Sequence, residues 1–346
     1  MAPACAAACP EGAIAIEIVN VAEWRGDYLS ANAPGLPSAD DSISTTRITL
    51  PENLPPDTGR VDTQRIVPEQ PHWPLVFMLV LTQLSAGAFA ALWIMQMLGR
   101  AASNFPTVLG SLALAGISLG AATLHLGRPI HAWRALKGLR RSWLSREVLG
   151  LSAFAGVAAL YAGMLFLHLP GRSAAGLMTV LCACAGMMCS ARIYMVPARP
   201  AWNSRYTIAE FFLTALLLGP MFVRALDMQA LDGAGRLWLA RAAVIGGSVQ
   251  LLTIALKFLW LSRSEQFELR ASALLLSGRL HGPFLIRLGL LIGAGIVLPI
   301  ETDSGFSAVV AIVLALLGEL VGRWLFFVSV VPKSIAAAFM AAERAA

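Results

Sequence analysis

The stretch LHLGRPIHAWRALKGLRRSWLSRE, residues 124–147, gathers a histidine, a glutamate and a dense basic run between two apolar segments. His125 closes the second apolar segment and Glu147 opens the third, so chain order puts both at one edge of the apolar region. An imidazole with an ordinary pKa of roughly 6.5 and a carboxylate, placed together at such an edge, could take up the protons of a hydroquinone. Arg128 and Arg146 could hold a ring oxygen or tune Glu147. The alternative is that His125 caps a helix and the basic run binds lipid phosphates. One His and one Glu are a weak pair on spacing alone.

Other chemistry-bearing residues fall into three groups. Glu319 and Arg323 are four apart in the last apolar segment, so they can pair on one helix face. Charges at that depth are costly and are kept for proton handling, quinone handling or a structural ion pair. Arg192, Tyr194, Glu210 and Arg287 lie toward the same face as His125 and extend a polar pocket there. Cys5 and Cys9, in CAAACPEGAIAIEIV, reproduce the C-x3-C-P end of a bacterial [4Fe–4S] motif, with Gly12, Ala13 and Ile14 behind it. A cubane needs four thiolates, and only Met1–Ala–Pro–Ala stands before Cys5. Cys182, Cys184 and Cys189 share no single helix face and read as small apolar packing residues. Five cysteines suggest no disulfide framework.

The elements that must position these residues follow from composition. Of 346 residues, 57% are hydrophobic and 13% charged, about half the usual charged share of soluble domains. Residues 1–72 carry ten acids and four arginines, a net of −6, so the stated +6 leaves +12 for the rest. That first part lacks a secretory signal peptide pattern, and from Asn32 to Gln70 it is rich in Pro, Asp, Ser and Thr, which suits an extended tail. Apolar segments of about 20 residues, enough to span hydrocarbon, lie near 74–97, 106–126, 148–168, 174–196, 207–224, 238–261, 283–300 and 307–331. The expected fold is all-α: eight transmembrane helices in a bundle behind an irregular N-terminal tail. Gly116 and Gly120 stand at a spacing suited to close helix contact. Trp133, Trp143 and Trp202 mark the membrane interface.

Loop 2–3 alone carries Arg128, Arg134, Lys137, Arg140, Arg141 and Arg146, and the loops on its side hold most of the remaining basic residues. The positive-inside rule then places both termini in the cytoplasm of a bacterial cell, with the protein in its inner membrane. Basic residues docking an acidic partner would give the same bias.

Residues 124–147, with ARIYMVPARPAWN (191–203), HGPFLIRLGL (281–290) and GELVGRWLFFVSVVP (318–332), resemble the membrane anchor subunit of dimethyl sulfoxide reductase, the DmsC family, over roughly 72–335. The resemblance implies an eight-helix anchor that binds menaquinol or ubiquinol. It implies transfer of the electrons to a four-cluster iron–sulfur subunit and on to a molybdopterin catalytic subunit, with no nucleic acid among its partners. The family's quinol-site histidine and glutamate fall on His125 and Glu147. The start, 1–20, is similar to the last cluster motif of the family's iron–sulfur subunit, residues 21–72 to that subunit's tail, and 336–346 form a short C-terminal tail. The sequence thus reads as a fusion lacking its front half, by truncation or a genuine split, with any [4Fe–4S] cluster in the partner or the missing part; the alternative is two incidental cysteines in an Ala-rich start.

Two other classes compete. A haem-binding anchor would need paired axial histidines, and of His72, His125, His131, His168 and His281 only His125 with His281 is a plausible pair, the latter expected in a loop. A transporter would need Gly/Pro-broken helices repeated in two halves, which the sequence lacks. Neither haem nor transport is therefore expected. Anchors of the polysulfide and nitrite reductase type, including ones that reduce quinone, stand closest.

Overall fold

In the computed structural model the described residues are 66–100, 105–124, 129–301 and 304–333, with Ile18, Asn20, Ala22 and Glu23 in addition. The protein divides into a unit of Arg65–Pro332 and a second unit of Met1–Gln64 with Lys333–Ala346. His125, Arg128, Cys5 and Cys9 lie outside the described residues. All regular elements among the described residues are helical.

Eight helices of the first unit are long and apolar enough to cross a membrane. They are α1 (Trp73–Met97), α2 (Phe105–Leu124), α3 (Trp143–Phe166), α4 (Arg172–Tyr194), α5 (Arg205–Leu226) and α6 (Gly233–Arg263), then, after a short α7 (Phe267–Ser277), α8 (His281–Glu301) and α9 (Gly305–Val328). The near face is the one where α1 begins. Strict alternation of the spans puts the ends of α2, α4, α6 and α9 there too, with the starts of α3, α5 and α8.

Hydropathy alone explains why these segments are helices: with no water in hydrocarbon, each backbone N–H must find its carbonyl within the segment. Their packing follows from side-chain size. α1 is the central helix, with 78% of its apolar window buried, followed by α5 at 61%. α2, α3 and α4 pack on one side of this pair through Phe89, Phe154 and Tyr161. α6, α8 and α9 pack on the other through Leu84, Leu217 and Leu291. The outer helices turn Leu149, Leu160, Leu181 and Leu252 outward, as lipid-facing surfaces require.

The α1–α5 contact is made backbone to backbone. A Cβ at Gly219 would overlap the main chain of Gly87, and one at Gly87 would overlap the carbonyl of Ala215. Gly150 of α3 and Gly186 of α4 make a second such crossing, with a Cβ on Gly150 falling 2.9 Å from the Gly186 Cα. Gly116 and Gly120, expected at helix contacts, instead have open space where a Cβ would point. Their side of α2 faces outward, and tertiary packing places the close approaches on other helices.

Several local features differ from the sequence expectations. α3 begins at Trp143 rather than near 148, because Ser142 caps it by accepting from the Ser145 N–H. Glu147 therefore sits one turn inside the helix. The stretch Pro129–Gly138 forms a 3-10 helix and residues 267–277 form α7, both too short to read as spans. His281, expected in a loop, is the first residue of α8. Midway, α8 widens into a π-helical segment over Leu291–Val297, a run containing Gly293 and Gly295. At the near face residues 66–72 lie against the bundle: the Glu69 N–H donates to the Val328 carbonyl at 3.0 Å, and Arg199 pairs with Glu69 at 3.6 Å.

Gly219→Ala should separate α1 from α5 and cost about 1–3 kcal/mol, as overpacking does. The melting temperature of the purified protein in detergent should fall by several degrees. Gly116→Ala should leave it unchanged. Equal melting temperatures for both would show that the α1–α5 contact is not close.

Candidate functional site

Two polar groupings lie near the near face, one around Glu147 and one between α5, α6, α8 and α9. The first is assembled by the end of loop 2–3. The N–H groups of Arg141 and Ser142 bond the Gly138 carbonyl, closing the turn that leads into α3. Arg146 then locks the turn in place: its Nε donates to the Leu139 carbonyl at 2.9 Å and its Nη2 to the Arg140 carbonyl at 2.8 Å. Its guanidinium also lies 4.4 Å from the Trp143 ring, with Arg192 at 5.8 Å from the same ring.

With Arg146 turned to the loop, Glu147 faces inward and is 6% exposed. Ser190 of α4 lies beside it, its hydroxyl placed to donate to the Glu147 carboxylate. Ser190 also lines a small cavity of about 10 Å³ with Thr82 and Gln83 of α1. That is room for about one water. Tyr194 is within electrostatic reach of both Glu147 and Arg323. Its ring is held edge-on by Trp202, Phe326 and Phe327 at centroid distances of 5.4–5.6 Å. The structure thus brings Glu147 and Tyr194 into one neighbourhood. It assigns Arg146 to the loop carbonyls, and it leaves Arg192 exposed over Trp143. α2 ends at Leu124, the residue before His125.

The second grouping is a network of buried charges. Lys257 of α6 donates to both oxygens of Glu210 of α5 at 3.0 Å each. Glu319 and Arg323, expected to pair with one another, take separate partners. Thr214 donates to one oxygen of Glu319, and Gln250 donates to the other at 2.8 Å. Arg323 donates to the Gln83 side-chain oxygen at 2.8 Å and stacks 4.2 Å from Phe211. The i, i+4 spacing allowed a pair, but neutral donors from other helices hold Glu319 and an amide acceptor takes one Arg323 nitrogen, while the Arg323 Nε is buried without a partner. Lys257 escaped the sequence reading altogether. A single lysine inside the apolar run IALKFLWL was the signal that marks it.

Against this network lies a cavity of about 40 Å³, lined by Glu210, Lys257 and Arg287 with Trp202, Phe258, Phe284 and Phe326. Arg287, 8% exposed, has its Nε buried without a hydrogen-bond partner. Among the described residues no group of three or more His, Cys, Asp or Glu side chains could hold a metal ion. Cys182, Cys184 and Cys189 are free thiols within α4.

Eight apolar spans with charged side chains buried between them define a multi-pass membrane subunit. Residues 69–328 match the family described as DMSO reductase anchor subunit (DmsC), and the protein belongs to that family. It is 27% identical over 164 residues to the anaerobic dimethyl sulfoxide reductase protein YnfH of Escherichia coli, covering 44% of this sequence and 57% of that relative. It thus spans a little over half of that relative's length. The C chain of anaerobic dimethyl sulfoxide reductase from the same organism is 27% identical over 271 residues, 74% of this sequence and 93% of the relative. The C subunit of sulfite dehydrogenase from Allochromatium vinosum is 30% identical over 177 residues, 45% of this sequence and 54% of the relative.

Removing one member of a buried ion pair strands the other, at a cost of about 3–5 kcal/mol. Lys257→Met should therefore lower the thermal stability of the detergent-purified protein strongly. Adding Glu210→Gln should restore much of the loss. If the double variant were as unstable as the single one, the pair would be serving as packing volume and not as charge compensation.

Proposed function

We propose that this protein is the quinol-oxidising membrane anchor of a molybdoenzyme complex of the DMSO reductase type. The observation that carries the reading is Glu147: a carboxylate buried one turn inside α3, at the near face, with only the Ser190 hydroxyl of α4 beside it and no cation paired to it among the described residues. An apolar side chain of similar volume would fill the same space at less cost, and burial of a carboxylate is costly without a task. Family membership supports the partner kind, an iron–sulfur subunit and a molybdopterin catalytic subunit.

In this reading a menaquinol or ubiquinol headgroup reaches the near face between α2, α3 and α4. His125, the residue after the end of α2, and Glu147 accept its two protons. The two electrons pass to an iron–sulfur cluster of the partner docked on that face. Tyr194, fixed by its aromatic neighbours, stands behind Glu147 and links it electrostatically to Arg323. Arg146 acts by holding the loop, and Arg128 lies with His125 in the segment between α2 and the 3-10 helix. The Glu319 and Arg323 side chains bind the core helices together behind the site. The basic bias of the near-face loops supports a cytoplasmic near face under the positive-inside rule, and docking of an acidic partner would give the same bias.

A second reading has a specific support. The similarity to a sulfite dehydrogenase subunit fits an anchor running the other way, delivering electrons to quinone from an oxidising catalytic subunit. The same residues would then give protons to the ring instead of taking them.

His125→Ala and Glu147→Gln in the assembled complex should each cut quinol-dependent turnover by tenfold or more, in line with the general acid–base contribution of about 10²–10⁴. Turnover with reduced viologen, which feeds the catalytic subunit directly, should persist. The assay is run on membranes with both donors and with assembly followed by blot. Equal loss with both donors would mean that these residues build the anchor and do not serve quinol. A fusion reporter after Ala346 should be active in the cytoplasm, and one near Arg172 in the periplasm. The reverse pattern would invert the orientation.

A further inference from the structure

The charge network between α5, α6, α8 and α9 does not balance. Glu210 and Glu319 are two carboxylates, while Lys257, Arg287 and Arg323 are three cations, and they act on one another across those helices. Lys257 occupies both oxygens of Glu210, and Glu319 is satisfied by Thr214 and Gln250. Arg323 has Gln83 and the Phe211 ring. Neither Arg287 nor Arg323 has a carboxylate in hydrogen-bond contact among the described residues, and each has a buried Nε without a partner; of the two, Arg287 has no side-chain partner at all and lines the cavity. A buried charge is tolerated when something pairs with it.

The cavity is built to hold that guanidinium in place. On one side Arg287 lies against the backbone of Gly322, where a Cβ would collide with the guanidinium. On the other the walls are flat rings: Phe258 and Phe284 stack at 5.9 Å with a 24° interplanar angle, and Trp202 stacks on Phe326 at 5.1 Å. We propose that this cavity is a second ligand site of the anchor, in which Arg287 donates to an oxygen of a flat, ring-bearing amphiphile, namely a quinone headgroup.

Depth and wall chemistry select that ligand class over a phospholipid. Arg287 stands six residues into α8, about 9 Å along the helix from its near end, below the plane where lipid phosphates lie. Apart from Glu210, Lys257 and Arg287, the cavity of about 40 Å³ is lined by apolar and aromatic side chains, which suit a ring edge better than a hydrated phosphate. The site is distinct from the one at Glu147, since it is formed by α5, α6, α8 and α9 and not by α3 and α4. Only the choice of quinone as ligand rests on the function proposed above; the uncompensated charge of Arg287 does not.

The test uses the full-length protein, purified in detergent and depleted of endogenous quinone, with menadione and decylubiquinone as probes in equilibrium dialysis. Wild type should bind two equivalents. Arg287→Met should lose one, and Glu147→Gln should lose the other. Melting curves control for folding: without probe, Arg287→Met should melt at or above the wild-type temperature, because it removes an uncompensated charge. Gly322→Ala, which displaces the guanidinium while keeping it, should lose the same equivalent as Arg287→Met. One equivalent lost only with Glu147→Gln would overturn the second site and leave the proposed function intact. One equivalent lost only with Arg287→Met or Gly322→Ala would uphold this site and overturn Glu147 as the quinol residue. No binding to wild type would overturn both. Retention of a co-purified phospholipid by wild type and its loss from Arg287→Met, with quinone binding unaltered, would overturn the quinone assignment and give the cavity to lipid.

Discussion

An ionised carboxylate inside an apolar bundle persists only if the fold brings it a partner, and that requirement organises the near half of this protein. Glu210 and Glu319 are each held by groups from helices distant in sequence: Lys257 in one case, Thr214 and Gln250 in the other. Arg323 reaches Gln83 on α1, 240 residues away. These contacts tie α1, α5, α6 and α9 into one arrangement, since sliding any helix by a turn would strand a charge. Apolar packing between membrane helices has no comparable directional preference, because lipid tails serve an apolar side chain about as well as a neighbouring helix does. The close crossings at Gly87–Gly219 and Gly150–Gly186 set how near the helices come, and the polar network sets their register.

The well-packed half of the bundle then gives the chemistry at the near face a frame. α1 and α5 are the most buried helices, and the aromatic cluster of Tyr194, Trp202, Phe211, Phe326 and Phe327 closes their near end. Against this cluster the start of α3 is pinned by Ser142 and by the two Arg146 bonds to Leu139 and Arg140. Glu147 consequently points inward, its backbone held by the capped helix start. In the function proposed above, Glu147 is the proton acceptor at the membrane edge that oxidation of a lipid-soluble hydroquinone would demand. Protons and electrons must leave from the same small region.

Much of this was legible from sequence because hydrocarbon imposes a one-dimensional rule: about 20 apolar residues make a span. All eight spans and the near-face location of Glu147, Tyr194, Glu210 and Arg287 follow from that rule and chain order. What could not be read were the tertiary choices. Glu319 and Arg323 look like partners at i, i+4, yet each found a better-placed neutral group across the bundle. Gly116 and Gly120 look like contact residues, yet the crossing helices meet at Gly87 and Gly150. In both cases the deciding neighbour is on another helix, where spacing carries no information. Lys257 stands out as a lone lysine in an apolar run, but its partner Glu210 lies on another helix, and α7 was hidden by its brevity.

The account stands on a quinone headgroup bound at the near face beside α3 and α4. Photolabelling of the purified anchor with an azidoquinone, followed by peptide mass spectrometry, addresses this directly. Labels should include residues 143–151 and 187–194, with competition by unlabelled quinone, whether or not others appear at the Arg287 cavity. Competed labels confined to the far-face ends of the helices, around Thr107 and Asp227, with none in those two stretches, would contradict it.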